Sequence, residues 1–168
     1  MVYTHTDIGH KRSENQDSTG VAVLDGAVFA VVCDGMGGSN AGSEASSRAV
    51  SVITERIQKS YRSDYDDNKI RNLLVAAVKT ANAVIYDLAS AVPEWRGMGT
   101  TCVAAFVSDT YIAVANVGDS RLYLLRDSLA QISILAAVQD EFHVKFNIDE
   151  IVALKNVGDL VNAIERKL

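Results

Sequence analysis

Asp34 has the most chemistry to offer in this chain. It ends the run Val28-Phe29-Ala30-Val31-Val32-Cys33 and is followed by Gly35-Met36-Gly37-Gly38. Every side chain of the run is apolar, and most are β-branched or aromatic, which predicts a buried strand. Asp34 is where that strand meets solvent. The glycines let the backbone turn sharply and approach whatever Asp34 holds. A carboxylate fixed at the rigid end of a core strand suits a hard cation such as magnesium or manganese. The same pattern also describes an ordinary strand-to-turn aspartate. A second carboxylate, Asp17, closes the polar stretch Gly9-His10-Lys11-Arg12-Ser13-Glu14-Asn15-Gln16-Asp17. That stretch reads as a loop able to fold back over the end of the Asp34 strand. His5, His10 and His143 show no ligand spacing. Cys33 and Cys102 lie in apolar runs and read as buried free thiols rather than a disulfide or metal pair.

The elements that must position these groups follow from patterning. The chain has 168 residues, 48% hydrophobic and 22% charged. That suffices for one ordinary domain or two very small ones, and it is not a disordered composition. A formal net charge of -5 argues against a general nucleic-acid binder and leaves no basic patch for an anionic membrane. No apolar run reaches spanning length, and Met1 to Asp7 carries no basic-then-apolar signal pattern. The expectation is a cytoplasmic protein.

Strands are predicted at 2–6, 21–24, 28–34, 102–107, 111–117 and 122–125, with Asp25-Gly26 as a hairpin turn. Helical spacing places Ala45, Ala49, Val52, Ile53 and Ile57 on one face of a helix over 44–60. A second helix over 69–91 carries Ile70, Leu73, Leu74, Ala77, Val78, Ala81, Val84, Ile85 and Leu88, and Pro93 ends it. Strands, two long helices, then more strands give an α+β layout with helices on antiparallel sheet. From 127 the pattern is helical only, over 128–142, 149–154 and a last helix after Asn156. A boundary is therefore expected between 1–126 and 127–168.

Four ordered stretches now carry a resemblance: Arg12-Ser13-Glu14-Asn15-Gln16-Asp17, Asp34-Gly35-Met36-Gly37-Gly38, Gly97-Met98-Gly99-Thr100-Thr101 and Gly118-Asp119-Ser120-Arg121. Residues 9–126 resemble the N-terminal half of a bacterial metal-dependent serine/threonine protein phosphatase of the PPM (type 2C) family. The resemblance implies an antiparallel β-sandwich with flanking helices and a binuclear manganese or magnesium site at one end. It implies that Asp34 bridges the metals, that the Gly35 carbonyl reaches one of them, and that Asp17 holds metal-bound water. Asp119 matches a carboxylate for a weaker third metal, and Arg12 matches the arginine that grips substrate phosphate, for which its planar fork is suited. The implied chemistry is in-line attack on a phosphate monoester by a metal-activated water. Phosphoserine and phosphothreonine proteins are the implied substrates. Gln16 stands where many members carry a glutamate.

The chain departs from that family downstream. Two further metal-binding aspartates, from a Ser-Asp-Gly motif and an Asp-Asn pair, have no counterpart, because Asp140, Asp149 and Asp159 sit in other contexts. Impaired activity is expected. Residues 127–168 instead resemble the C-terminal part of an acyl carrier protein, through Asp127-Ser128-Leu129, Phe142 and Asn156-Val157-Gly158-Asp159-Leu160. That resemblance implies phosphopantetheine on Ser128, with a carrier-protein transferase or acyl-loading enzymes as partners. It makes the chain a fusion of two partial domains. A helix N-cap serves equally for Ser128. A continuing phosphatase hairpin over 126–133 fits the same residues. The first part is expected to leave one sheet face uncovered, open to the later helices or to self-association.

Overall fold

The computed structural model describes residues 2–38, 41–124, 135, 138–154 and 157–167. In order, these form β1 (Asp17–Leu24), β2 (Ala27–Met36), α1 (Ala41–Ser60), α2 (Asp67–Ala91), a 3₁₀ turn at Pro93–Trp95, β3 (Gly99–Thr100), β4 (Cys102–Ser108) and β5 (Ile112–Val117). Two short helices follow, α3 (Ile148–Ala153) and α4 (Val157–Glu165). The chain divides into two compact units, Val2–Arg121 and the residues from Leu122 onward.

The first unit is one antiparallel sheet, ordered β1-β2-β4-β5, with β3 paired to the end of β2. The Asp25-Gly26 turn joins β1 to β2 in register Leu24↔Ala27 through Asp17↔Asp34. Tyr61 donates its hydroxyl to the Asp25 carbonyl at 2.8 Å and pins that turn. Strand periodicity then sorts the side chains by face. Phe29, Val31 and Cys33 of β2, with Ala104 and Phe106 of β4, are buried in one core with Ala45, Ala49, Ile53 and Ile57 of α1 and with α2. Full burial of Phe29 or Phe106 contributes about 2–3 kcal/mol each. Asp66 caps α2 by accepting from the Lys69 amide at 2.8 Å.

The opposite face is left apolar and open. Val23 is 82% exposed, and Val32, Val107, Ile112 and Val114 are each more than 40% exposed. The register lines up Val23, Val28, Val107 and Ile112, and beside them Val21, Ala30, Ala105 and Val114.

Several expectations need correction. Residues 2–6 are not a strand: Val2 and Tyr3 are exposed, and no ladder partner is offered to them among the described residues. Residues 122–124 are likewise not in a strand, and Leu125 lies outside the described residues. The expected sandwich is a single sheet among the described residues, since no second set of strands is there to pack on it. β1 starts at Asp17 rather than Val21, so Asp17 belongs to the ladder and not to the loop. By length and hydropathy α2 is apolar enough to cross a membrane, which the sequence reading did not allow. Its Ile70, Leu73, Leu74, Ala77, Ala81 and Ile85 are buried in the core.

The second unit has its own small core of Leu135, Val144 and Phe146, packed by Val138, Ile151, Leu154, Leu160, Ala163 and Ile164. A capping box between Asn147 and Glu150 starts α3. Lys167 pairs with Glu150 at 2.8 Å. The boundary expected at 126/127 and Ser128 lie outside the described residues.

Candidate functional site

Antiparallel pairing brings the start of β1, the end of β2, the start of β4 and the end of β5 to one edge of the sheet. Asp17 and Asp34 face each other across β1 and β2 there. They share the face opposite Cys33. Partial burial, then the neighbouring Asp34 charge, push the Asp17 carboxyl above the ordinary aspartate range, and the Arg12 guanidinium pulls the other way. Two facing carboxylates with one nearby cation form a donor set that a hard divalent ion relieves. The residues present therefore fit such an ion.

The backbone of Asp34 is held independently of its side chain. The Thr101 amide donates to the Asp34 carbonyl at 2.8 Å, and the Thr100 hydroxyl donates to the same oxygen at 2.9 Å. The Asp34 amide donates to the Thr101 hydroxyl oxygen at 3.0 Å. That hydroxyl also meets Ser120 Oγ at 2.7 Å. Thr101 thus ties Asp34 to the turn that carries Asp119. Among the sequence motifs, Gly-Thr-Thr had no assigned role. Two adjacent hydroxyl residues opening a strand opposite Asp34 were its only signal.

Gly35 lies where two backbones meet. A Cβ built on it would stand 1.9 Å from the Gly42 carbonyl oxygen and 2.9 Å from that of Gln16. The Gly35 amide donates to Gln16 at 3.0 Å. The Gln16 side chain donates to the Gly38 carbonyl at 3.1 Å and packs on Gly42. In this chain Gln16 fastens the glycine loop. Ser43, at the start of α1, donates to Glu14 and ties the loop before β1 to the helix. Arg12 is exposed beside Asp17. Asp119 is exposed on the turn after β5. A cleft of about 860 Å³ opens alongside, lined in part by Met36, Tyr86, Arg96, Met98 and Thr100.

The structure thus gathers Arg12, Asp17, Asp34, Gly35 and Asp119 at one end of the first unit. No group of three His, Cys, Asp or Glu side chains is close enough to hold one ion among the described residues. Replacing Thr101 by valine removes both hydroxyl contacts and leaves the Asp34 amide without its acceptor. The expected loss is about 1–3 kcal/mol in urea unfolding. A change below about 0.5 kcal/mol would show that Thr101 is not the clamp.

The protein phosphatase 2C family model matches residues 7–145, which runs past 126 and through Ser128. The serine/threonine phosphatase stp of Listeria monocytogenes is 37% identical over 123 residues, covering 73% of this chain and 48% of that protein. PstP of Mycobacterium tuberculosis is 33% identical over 146 residues, covering 86% of this chain and 26% of that one. Among solved structures, serine/threonine phosphatase Stp1 from Staphylococcus aureus superposes with a TM-score of 0.66 at 35% identity, covering 73% of this chain and 48% of that chain. The chain spans about half the length of the Listeria relatives it matches.

Proposed function

The chain belongs to the protein phosphatase 2C family, and from that premise we propose that its carboxylate end serves phosphate-monoester hydrolysis on phosphoserine and phosphothreonine proteins. The observation that carries this reading is the facing Asp17–Asp34 pair with Arg12 beside it. Manganese or magnesium would supply charge neutralisation and acidification of water at that place. Asp17, Asp34 and the Gly35 carbonyl are the groups to hold the ion, and Asp119 is a further carboxylate for a second position. Arg12 grips the phosphate by its guanidinium fork. The cleft beside Met36 and Thr100 gives room for the residues flanking the phosphorylated side chain.

The same reading includes impaired activity. The described residues supply facing carboxylates but no cluster of three ligating side chains. A hard ion held by few oxygens binds weakly. Titration with Mn²⁺ by calorimetry, followed by hydrolysis of a small aryl phosphate on the same sample, tests it. Saturable weak binding with slow turnover is the expected result. Absence of binding at millimolar Mn²⁺ would overturn it.

The exposed Val23, Val32, Val107, Ile112 and Val114 support self-association through the open sheet face. Sedimentation velocity should show a concentration-dependent dimer that Val23→Lys and Val114→Lys together abolish. A wild-type monomer across the concentration range would remove this part.

A further inference from the structure

The chain has only two cysteines, and the fold puts them face to face. The β2–β4 ladder pairs Val32 with Val103. The same register resumes at Gly35 and Thr100, so carried one step beyond Val32 it sets Cys33 opposite Cys102. Another step on, the Thr101 amide bonds the Asp34 carbonyl at 2.8 Å. In an antiparallel ladder hydrogen-bonded and non-hydrogen-bonded pairs alternate. The Asp34–Thr101 step is the bonded one, so Cys33–Cys102 is the non-bonded step, where Cα atoms approach to about 4.5 Å. That lies inside the range a disulfide spans, about 4.4–6.8 Å. Both side chains point to the helix-covered face and both are buried, Cys33 at 0% and Cys102 at 5% exposure.

We propose that Cys33 and Cys102 form a redox-active dithiol that a hydroperoxide converts to a cross-strand disulfide beneath Asp34. The sulfur of one cysteine attacks a peroxide oxygen, gives a sulfenic acid and releases water. The second sulfur then attacks that sulfenic sulfur, the S–S bond forms, and a second water leaves. The sum is two thiols and one hydrogen peroxide to one disulfide and two waters. Burial makes the reaction slow and confines it to small oxidants. It also shields the sulfenic stage from other thiols, so the opposed cysteine resolves it.

The bridge has a consequence for the edge above it. Cross-strand Cβ atoms are about 4.5–5.5 Å apart before bridging and about 3.5–4.5 Å after. A contraction of about 1 Å at Cys33 shifts Asp34, the next residue, against Asp17. Functional groups need placement within about 0.5 Å. Ion affinity at the Asp17–Asp34 pair therefore falls on oxidation. This consequence rests on the phosphatase reading, whereas the bridge itself does not.

The test treats the whole chain with hydrogen peroxide, then denatures and alkylates it, with Cys102→Ser as control. A monomer lighter by about 2 Da, with no alkylatable thiol until dithiothreitol is added, is expected for wild type alone. Two thiols still alkylatable, a disulfide-linked dimer, or a sulfinic acid at one cysteine would overturn the bridge. Mn²⁺ titrations of the reduced and bridged protein are the second measurement. At least threefold weaker binding after bridging is the expected result, an order-of-magnitude figure of about 0.7 kcal/mol. Equal binding in the two states overturns control of the site by the bridge. A reduced protein that binds no Mn²⁺ overturns the phosphatase reading, and with it control of the site, and leaves the bridge standing.

Discussion

Asp34→Asn is expected to abolish Mn²⁺ binding in a calorimetric titration and to lower aryl-phosphate hydrolysis by at least about a hundredfold, the upper range for losing even an outer partner of a metal site. The protein stays folded. Three bonds hold the Asp34 backbone without using its carboxylate: the carbonyl accepts from Thr100 and Thr101, and the amide donates to Thr101. Asparagine keeps all of these. Its side chain is nearly the same shape, and it removes one of two like charges set directly across the hairpin. Opposed like charges in a sheet cost a few tenths to about 1 kcal/mol. The pair is exposed to solvent, so the relief falls at the low end. The melting temperature in chelator should hold or rise slightly. The comparison separates a functional carboxylate from a structural one. Retained ion binding in the variant would remove Asp34 from the site. A fall of more than about 1 kcal/mol in urea stability would mean that its side chain serves the fold.

Gly35→Ala acts in the opposite way and destroys the fold before chemistry is reached. The added methyl would stand 1.9 Å from the Gly42 carbonyl oxygen, and Gln16 closes the other side at 2.9 Å. Both obstacles are backbone, so no rotamer change relieves them. β2 is bonded to β1 on one side and to β3 and β4 on the other, and it cannot slide away. The expected loss is at least about 3 kcal/mol, the upper part of the overpacking range. Gly42→Ala is the internal contrast. Its nearest obstacle is the Gln16 side chain at 2.8 Å, which can turn aside, and the Gly35 backbone carbon at 3.0 Å needs to give by only a few tenths of an ångström. About 1 kcal/mol is expected there. Urea midpoints of the two variants check the pair. A Gly35→Ala protein within about 1 kcal/mol of wild type would mean that β2 and α1 separate more easily than their packing indicates.

Much of this was legible in the sequence because it is local. The run ending at Cys33 is apolar on both faces, so it had to be a strand of the sheet interior, and Asp34 had to be its end. Asp25-Gly26 named its turn, but the sequence left Asp17 in a loop, and only the ladder that runs on to Asp17↔Asp34 sets the two carboxylates face to face. The apolar stripes on 44–60 and 69–91 named two helices. Four glycine-rich and acidic motifs in order named the family, which the match over residues 7–145 bears out.

What failed was pairing. Residues 2–6 and 122–124 have strand composition but no strand beside them among the described residues, and a strand exists only where a neighbour completes its hydrogen bonds. The roles of Thr100, Thr101 and Gln16 were invisible for a related reason. Their partners, Asp34 and Gly38, lie 66, 67 and 22 positions away. The opposed thiols belong here as well, since nothing in two isolated cysteines 69 positions apart says that one ladder step joins them. The two long helices, the central hairpin, the family and the carboxylates could be read from the chain, because hydrophobic periodicity and turn chemistry act within a few residues. Which of those residues touch came from the fold, because strand pairing is set by the packing of distant segments and not by either segment alone.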